Sequence, residues 1–323
     1  MFVLPPSMKA IVVQEDRTVG YLDRPIPIID DDEVLVKTSA VALNNSDWKG
    51  TIPGWDVSGE IVQVGKDVAA RKVGERVAAF MHGGYWRDRG AFSEYVKVRG
   101  DLLWVLPEKT SFEEAATLSC GTWTVVQSLF HPTRLGLVEP EAEGDPIPRD
   151  EWVFIYAGSS YFLRDVRHQL LHVAGYKVVT TASPRNFPLL KSLGATAMFA
   201  YRDPKAVLKI NAATGHSITK VLDCISTLQS QQFSQDVISP EGGNVISLVD
   251  MSGLPTVTFL VTALGKEFTS FGQTFPKMTI LVEQGKLVPN PRKLWSGGLA
   301  AVPEGLNYIQ EGKQSAEKIV FSM

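Results

Sequence analysis

Cysteine is scarce: the 323-residue chain holds two, Cys120 and Cys224, far apart and each set in an apolar-rich stretch. That leaves no disulfide framework. Both read as buried thiols, and a reducing, cytoplasmic compartment fits them. A basic excess is lacking too. Lys and Arg number 32 against 35 for Asp and Glu, a net charge of −3, whereas polyanion binders carry surplus positive charge on one face. No window reaches the ~18 uninterrupted apolar residues of a membrane span. Residues Met1–Ala10 show no charged segment followed by an apolar run, so a secretory signal is not expected there. Internal repeats and low-complexity tracts are not evident. What the chain does have is apolar side chains, 44% of all residues, enough for two cores in a length that suggests two domains.

The first hundred residues read as short Val-rich strands separated by Gly, Pro and Asp: Lys9–Gln14, Glu33–Ala42, Val57–Val64, Arg76–Phe80 and Phe92–Val98. This suits an antiparallel, barrel-like domain. Ser111 starts a helix with Glu113 and Glu114 in its first turn. The acidic, Pro- and Gly-containing run Glu139–Asp150 reads as a solvated linker. Beyond it the pattern changes. An apolar strand, Glu151–Ala157, is followed by a helix to about Val173 and a strand at Lys177–Thr181. Helix–strand pairs continue through Ala197–Ala200, Lys220–Cys224 and Asn244–Leu248. That alternation implies a parallel, doubly wound α/β sheet. Lys286–Met323 reads as turn-rich sequence with a closing strand, Lys318–Phe321, that rejoins the first domain.

In such a sheet a dinucleotide lies across the carboxyl ends of the strands, its pyrophosphate at the first helix N-terminus. Gly158, Ser159 and Ser160 are small enough for a phosphate to approach the backbone there. The G-x-G-x-x-G fingerprint is nevertheless missing, because Tyr161, Phe162, Leu163, Arg164 and Asp165 fill the turn. Arg164 would help a phosphate and Asp165 would repel one; the alternative is a plain helix start. The end of the second strand says more. NAD sites place a carboxylate there, but the chain reads Thr181-Ala182-Ser183-Pro184-Arg185-Asn186. Ser183 offers a hydroxyl and Arg185 a planar charged fork suited to phosphate. Tyr201 and Arg202 follow the third strand on the same rim. The set reads as a 2′-phosphate pocket and so points to NADP; the alternative is a simple turn with a solvated arginine.

Several motifs then carry a family resemblance. Val34–Lys37, Ala42-Leu43-Asn44 with Asp47-Trp48-Lys49, and Gly54-Trp55-Asp56-Val57-Ser58-Gly59 resemble the opening of medium-chain dehydrogenases/reductases. Val73-Gly74-Glu75-Arg76-Val77, Gly90–Val96, Phe112–Leu118, Leu193-Gly194-Ala195 and Gly297-Gly298-Leu299 continue the match over nearly the whole chain. Within that superfamily, Thr181–Phe187, Tyr201-Arg202-Asp203 and Leu222-Asp223-Cys224-Ile225 are most similar to the fungal trans-acting enoyl reductases of polyketide biosynthesis.

The resemblance implies a GroES-like substrate domain split in sequence (1–125 and 285–323) around a Rossmann NADP-binding domain (126–284). It implies NADPH-dependent reduction of an α,β-double bond in an acyl chain held on a polyketide synthase carrier domain, in a monomer or homodimer, with the site in the cleft between domains. Ser46, Asp47, Trp48 and Lys49 would contact cofactor, together with Ser159, Ser160, Tyr161, Phe162, Ser183, Pro184, Arg185, Asn186, Tyr201, Leu248 and Val249. Thr122, Thr124, Val125, Gln127, Val261, Thr262, Leu264 and Gly265 would line the acyl pocket. Lys49 and Asn44 are the candidate catalytic groups, Lys49 as proton donor or oxyanion partner; the alternative for Lys49 is a surface lysine after a tight turn. Where zinc-dependent relatives carry ligands, this chain has Asn44, Asn45, Ser46 and Trp55-Asp56, so no metal is expected. His82, His131, His168, His172 and His216 lack any spacing that suggests a metal site or triad. Two other functions stay open: a quinone-oxidoreductase-like reductase of free small enones, and a cofactor-free homologue that binds as an accessory protein.

Overall fold

The structure, a computed structural model, describes residues 3–16, 18–44, 47, 52–81, 83, 88–157, 164–248, 257–259, 274–314 and 317–323. In chain order its elements begin with β1 (Met8–Val13), β2 (Val19–Arg24), β3 (Glu33–Ala42), β4 (Asp56–Val64), β5 (Arg76–Phe80), β6 (Tyr95–Arg99), β7 (Leu103–Val105), α1 (Phe112–Ala115) and α2 (Ser119–Phe130). Next come β8 (Trp152–Tyr156), α3 (Arg164–Val173), β9 (Lys177–Ala182), α4 (Phe187–Ser192), β10 (Ala197–Ala200), α5 (Ala206–Thr214), β11 (Lys220–Asp223), α6 (Leu228–Asp236), β12 (Asn244–Ser247) and β13 (Val257–Phe259). The last are α7 (Thr274–Glu283), β14 (Arg292–Trp295), α8 (Val302–Gln310) and β15 (Lys318–Ser322).

Residue contacts divide the chain into two units: Met1–Gly121 with Leu264–Glu283 and Pro289–Met323, and Thr122–Ala263 with Gln284–Val288. The helix α7 falls in the first unit, whereas the sequence reading runs the second domain on to 284. One reason is local: the Thr279 hydroxyl donates to the Val105 carbonyl at the end of β7.

The first unit is built on β3, whose residues Val34, Leu35, Val36, Ala40, Val41 and Ala42 are all buried. It pairs antiparallel with β4, β6 and β15, in a sheet of order β14-β15-β3-β4-β5-β7. Gly59 has a defined reason to be glycine, since a Cβ there would sit 2.0 Å from the Lys37 carbonyl oxygen on the paired strand. Gly54, at φ +98°, lies against the Phe92 ring just before Asp56. The Ser111 helix start carries a full capping box with Glu114.

The second unit has the doubly wound α/β sheet, order β10-β9-β8-β11-β12-β13, with every neighbour parallel. Its central strands are apolar because both faces are covered: Val153, Phe154, Ile155, Val179, Val221 and Val245 are fully buried. Each large apolar side chain buried this way contributes about 1.5–3 kcal/mol. Phe233 of α6 stacks on Phe154 with ring centroids 6.0 Å apart.

Three elements differ from expectation. The strand expected from Phe92 starts at Tyr95, because the Ser93 hydroxyl turns back on the Gly90 and Tyr95 carbonyls. The return segment is not all turns: α8 forms with Pro303 in its first turn, where a missing N–H costs nothing. The edge strand β2 pairs with β1 through Val-Gly-Tyr-Leu-Asp-Arg, a run with no clean period-two alternation to mark it. Among the described residues no helix is long and apolar enough to cross a membrane.

Candidate functional site

In the second unit the site is built at the carboxyl ends of β9 and β10. The parallel register pairs Ala200 with Ala182, so the two strands finish level. Ser183 and Tyr201 are the next residues on each and therefore share one rim. Pro184 opens a 3-10 turn, Pro184–Asn186, which carries Arg185 outward. Ser183, Pro184, Arg185, Ala200, Tyr201 and Arg202 together line an open depression of about 440 Å³. The Arg202 guanidinium lies 5.2 Å from the centre of the Tyr201 ring, a cation–π arrangement. Asn186 does not line the depression; its N–H bonds the Ser183 carbonyl and closes the turn.

The nearest carboxylate in sequence, Asp203, is occupied elsewhere. It binds Lys209 at 2.6 Å and the Lys205 N–H at 2.9 Å, and these partners hold its pKa below the usual range. Among the described residues the lining of the depression holds two guanidiniums, a hydroxyl and a tyrosine and no free carboxylate, a set that fits a phosphate monoester. Leu248, just past β12, donates its N–H to the Ser226 hydroxyl at 2.9 Å. At the end of β11, Asp223 is fully buried and accepts bonds from Ser230 Oγ and from the Ile225 and Ser226 amides. Burial raises its pKa, and those hydrogen bonds oppose the rise. Burial likewise pushes the Cys224 thiol up to about 11, so it is not a ready nucleophile.

Thr122, Thr124, Val125 and Gln127 all lie on α2 and all are buried, Val125 completely. Among the described residues Thr122 Oγ1 is buried with no hydrogen-bond partner. Such an orphan hydroxyl suits a ligand contact.

In the first unit Asn44 and Asp47 fall into a buried polar network. The Asn44 N–H donates to Asp47 Oδ2 at 2.5 Å, and its side-chain Nδ2 donates to Asp56 Oδ2 at 2.9 Å. Asp56 also accepts from Lys318 Nζ at 2.5 Å and from the Cys120 N–H at 2.6 Å. Asn44 Nδ2 also makes a long 3.5 Å approach to Asp47 Oδ2. The Asn44 Nδ2 is thus aimed at carboxylates, while among the described residues its Oδ1 is buried with no hydrogen-bond partner. Burial raises the Asp47 pKa well above its ordinary value. The charge on Asp56 adds to the rise, while the Asn44 N–H and Lys318 oppose it.

Sequence reasoning did not find the Asp56–Lys318 pair, whose members stand 262 residues apart. Its signal was a charge beside apolar residues at the start of each of two strands, Trp55-Asp56-Val57 and Lys318-Ile319-Val320. Ser46, Trp48, Lys49, Ser159, Ser160, Tyr161, Phe162, Val249, Val261, Thr262, Leu264 and Gly265, which the resemblance assigns to the site, lie outside the described residues. Of the histidines, His168 is buried, while His172 and His216 are exposed.

A GroES-like sheet unit and a six-stranded parallel unit with a phosphate-fitting rim define a medium-chain dehydrogenase/reductase. The alcohol dehydrogenase GroES-like domain family matches residues 30–108. A trans-enoyl reductase of Alternaria alternata is 35% identical over 347 aligned positions, covering 98% of this chain and 99% of the relative. The enoyl reductase component of the lovastatin nonaketide synthase of Aspergillus terreus is 32% identical, covering 99% and 97%. The chain belongs to this trans-enoyl reductase family. Two solved structures share the fold. The enoyl reductase CurK is 22% identical with a TM-score of 0.75 over 98% of this chain and 99% of that one. An alcohol dehydrogenase superfamily protein from Novosphingobium aromaticivorans is 20% identical with a TM-score of 0.82 over the same shares.

Proposed function

We propose that the protein is a zinc-independent, NADPH-dependent enoyl reductase of the cytoplasm that serves a polyketide synthase in trans, reducing an α,β-double bond in an acyl chain on the carrier domain. The observation that carries the cofactor choice is the rim of Ser183, Arg185, Tyr201 and Arg202, cationic and without a free carboxylate. The target bond and the synthase partner come from the activities named for the relatives in Alternaria and Aspergillus.

When bound, the reduced nicotinamide supplies hydride for the β-carbon of an enoyl thioester. The residues of the chain do the rest. Arg185 and Arg202 neutralise the adenosine phosphate, and Ser183 and Tyr201 offer it hydroxyl groups. Thr122 offers a buried hydroxyl to the ligand. As the π pair moves toward the carbonyl, the thioester oxygen needs a hydrogen-bond donor, and the α-carbon then needs one proton. Lys49 is the proposed source of that donor or proton.

The reading is tested by titrating the protein with NADPH and NADH, then measuring turnover of one enoyl group as a carrier-bound thioester and as a free small enone. We expect NADPH to bind more tightly and the carrier-bound substrate to turn over faster. A preference for NADH overturns the phosphate rim. Equal turnover of the free enone replaces the synthase partner with a small-molecule substrate, and binding of neither cofactor leaves an accessory protein.

A further inference from the structure

The strand β8 leads toward the turn where dinucleotide-binding sheets use glycine to change direction, yet the first residue past it is Ala157. Its φ is +57°, a left-handed conformation that a Cβ disfavours. Both of its backbone polar groups are taken by side chains. Its N–H donates to Thr181 Oγ1 at 3.0 Å, and its carbonyl accepts from Arg167 Nη2 at 3.0 Å. Neither partner is a surface group. Thr181 and Arg167 are both fully buried, and Arg167 is among the largest fully buried side chains in the molecule.

The partners come from different elements, Thr181 from β9 beside β8 and Arg167 from α3. A guanidinium cannot shed its charge, and burying one is costly. The Ala157 carbonyl is one acceptor that offsets this cost.

We propose that Thr181 and Arg167 form a two-sided clamp that keeps Ala157 left-handed at the carboxyl end of β8, a conformation that glycine adopts unaided in the G-x-G-x-x-G turn, and that cofactor affinity depends on it. The link to cofactor rests on the function proposed above; the clamp on Ala157 does not. Thr181 and Arg167 are positioning residues. Their signature is dependence on the Cβ at position 157, because glycine enters the left-handed region without help.

The test is a double-substitution cycle with two readouts, the NADPH dissociation constant and the unfolding midpoint of the cofactor-free protein. Thr181→Val keeps the side-chain shape and removes the acceptor. It is expected to weaken NADPH binding about five- to tenfold, the size of one lost buried hydrogen bond. Thr181→Ser, which keeps the hydroxyl, should bind like the wild type. Ala157→Gly alone should stay within about twofold, since glycine's extra chain entropy offsets the relieved strain. Combined with Thr181→Val, Ala157→Gly should recover at least half of the lost affinity on a logarithmic scale, and half of the lost midpoint. The same rescue is expected for Arg167→Met. If that variant does not fold, the Thr181 cycle decides.

Strict additivity in both readouts overturns the clamp, since a hydrogen bond that merely stabilises the fold is indifferent to the residue at 157. If the wild type binds no nicotinamide cofactor, the proposed function falls. The clamp then stands or falls on the midpoints alone, with rescue supporting it and additivity ending it.

Discussion

The two nicotinamide dinucleotides differ by one phosphate monoester, and under the proposed function Arg185 is the group that feels the difference. It sits on an exposed 3-10 turn at the end of β9 beside Tyr201 and Arg202. Reversing its charge with Arg185→Glu should cost NADPH about tenfold or more in affinity, the worth of a charge-assisted hydrogen bond, and leave NADH nearly unchanged. The difference should shrink at high salt because the site is open to solvent. Titration with both dinucleotides checks this, and equal losses would move Arg185 away from the phosphate. Asp47 calls for a different measurement. Its carboxyl is buried and its pKa lies above the ordinary 3.8, chiefly through burial. Folding therefore takes up a proton between the unfolded and folded values. The stability this provides is complete below about pH 4 and is lost as the pH rises through the folded-state value. Asp47→Asn keeps an acceptor for the Asn44 N–H but has no proton to lose. Denaturant unfolding at a series of pH values should show a flatter profile for the variant above pH 4; parallel profiles would mean that Asp47 is ionised in the folded protein.

At the scale of elements, most strands were legible and the ties between distant strands were not. Runs such as Ala197–Ala200 and Arg76–Phe80 declare themselves because β-branched and other apolar residues stop abruptly at Gly, Pro or Asp. Once β9 and β10 are known to be parallel neighbours, Ser183, Arg185 and Tyr201 must share a rim, so that half of the site follows from the pattern. The Asp56–Lys318 pair does not, because nothing local to either residue names its partner. Nor does Arg167, since Arg-Asp-Val-Arg-His-Gln reads as a solvated helix start until the fold buries its second arginine. The pair belongs to the elements it joins. Lys318 opens β15, and Asp56 opens β4, on either side of β3. Lys318→Met would leave the Asp56 carboxylate buried with, among the described residues, the Asn44 and Cys120 donors. Removing one member of such a pair costs about 3–5 kcal/mol, and chemical denaturation should register a loss of that order. A loss below about 1 kcal/mol would mean that the two neutral donors satisfy Asp56 by themselves.

For the whole molecule, the decisive chemical question is whether reduction needs a metal as well as a dinucleotide. Zinc-dependent members of the superfamily polarise an alcohol or ketone oxygen with the ion, which requires thiolate, imidazole or carboxylate ligands around an open position. Here the relevant loop carries Asn44, with Trp55-Asp56 opposite in sequence. Asp56, the one carboxylate of that set, already accepts from Asn44, Lys318 and the Cys120 amide. A ligand so committed would have to abandon a buried ammonium to reach an ion, leaving Lys318 unpaired. An enone asks less of the protein, because its carbonyl already draws electrons from the β-carbon and needs only hydrogen-bond donors to hold the charge that develops. Dialysis against a strong chelator should therefore leave NADPH-dependent reduction of an enoyl thioester within about twofold of its starting rate, and added zinc should not raise it. The same dialysis should not lower the unfolding midpoint, as it would if an ion bound only the folded state. A rate that collapses on chelation and returns with zinc would show that the ligands stand elsewhere in the chain.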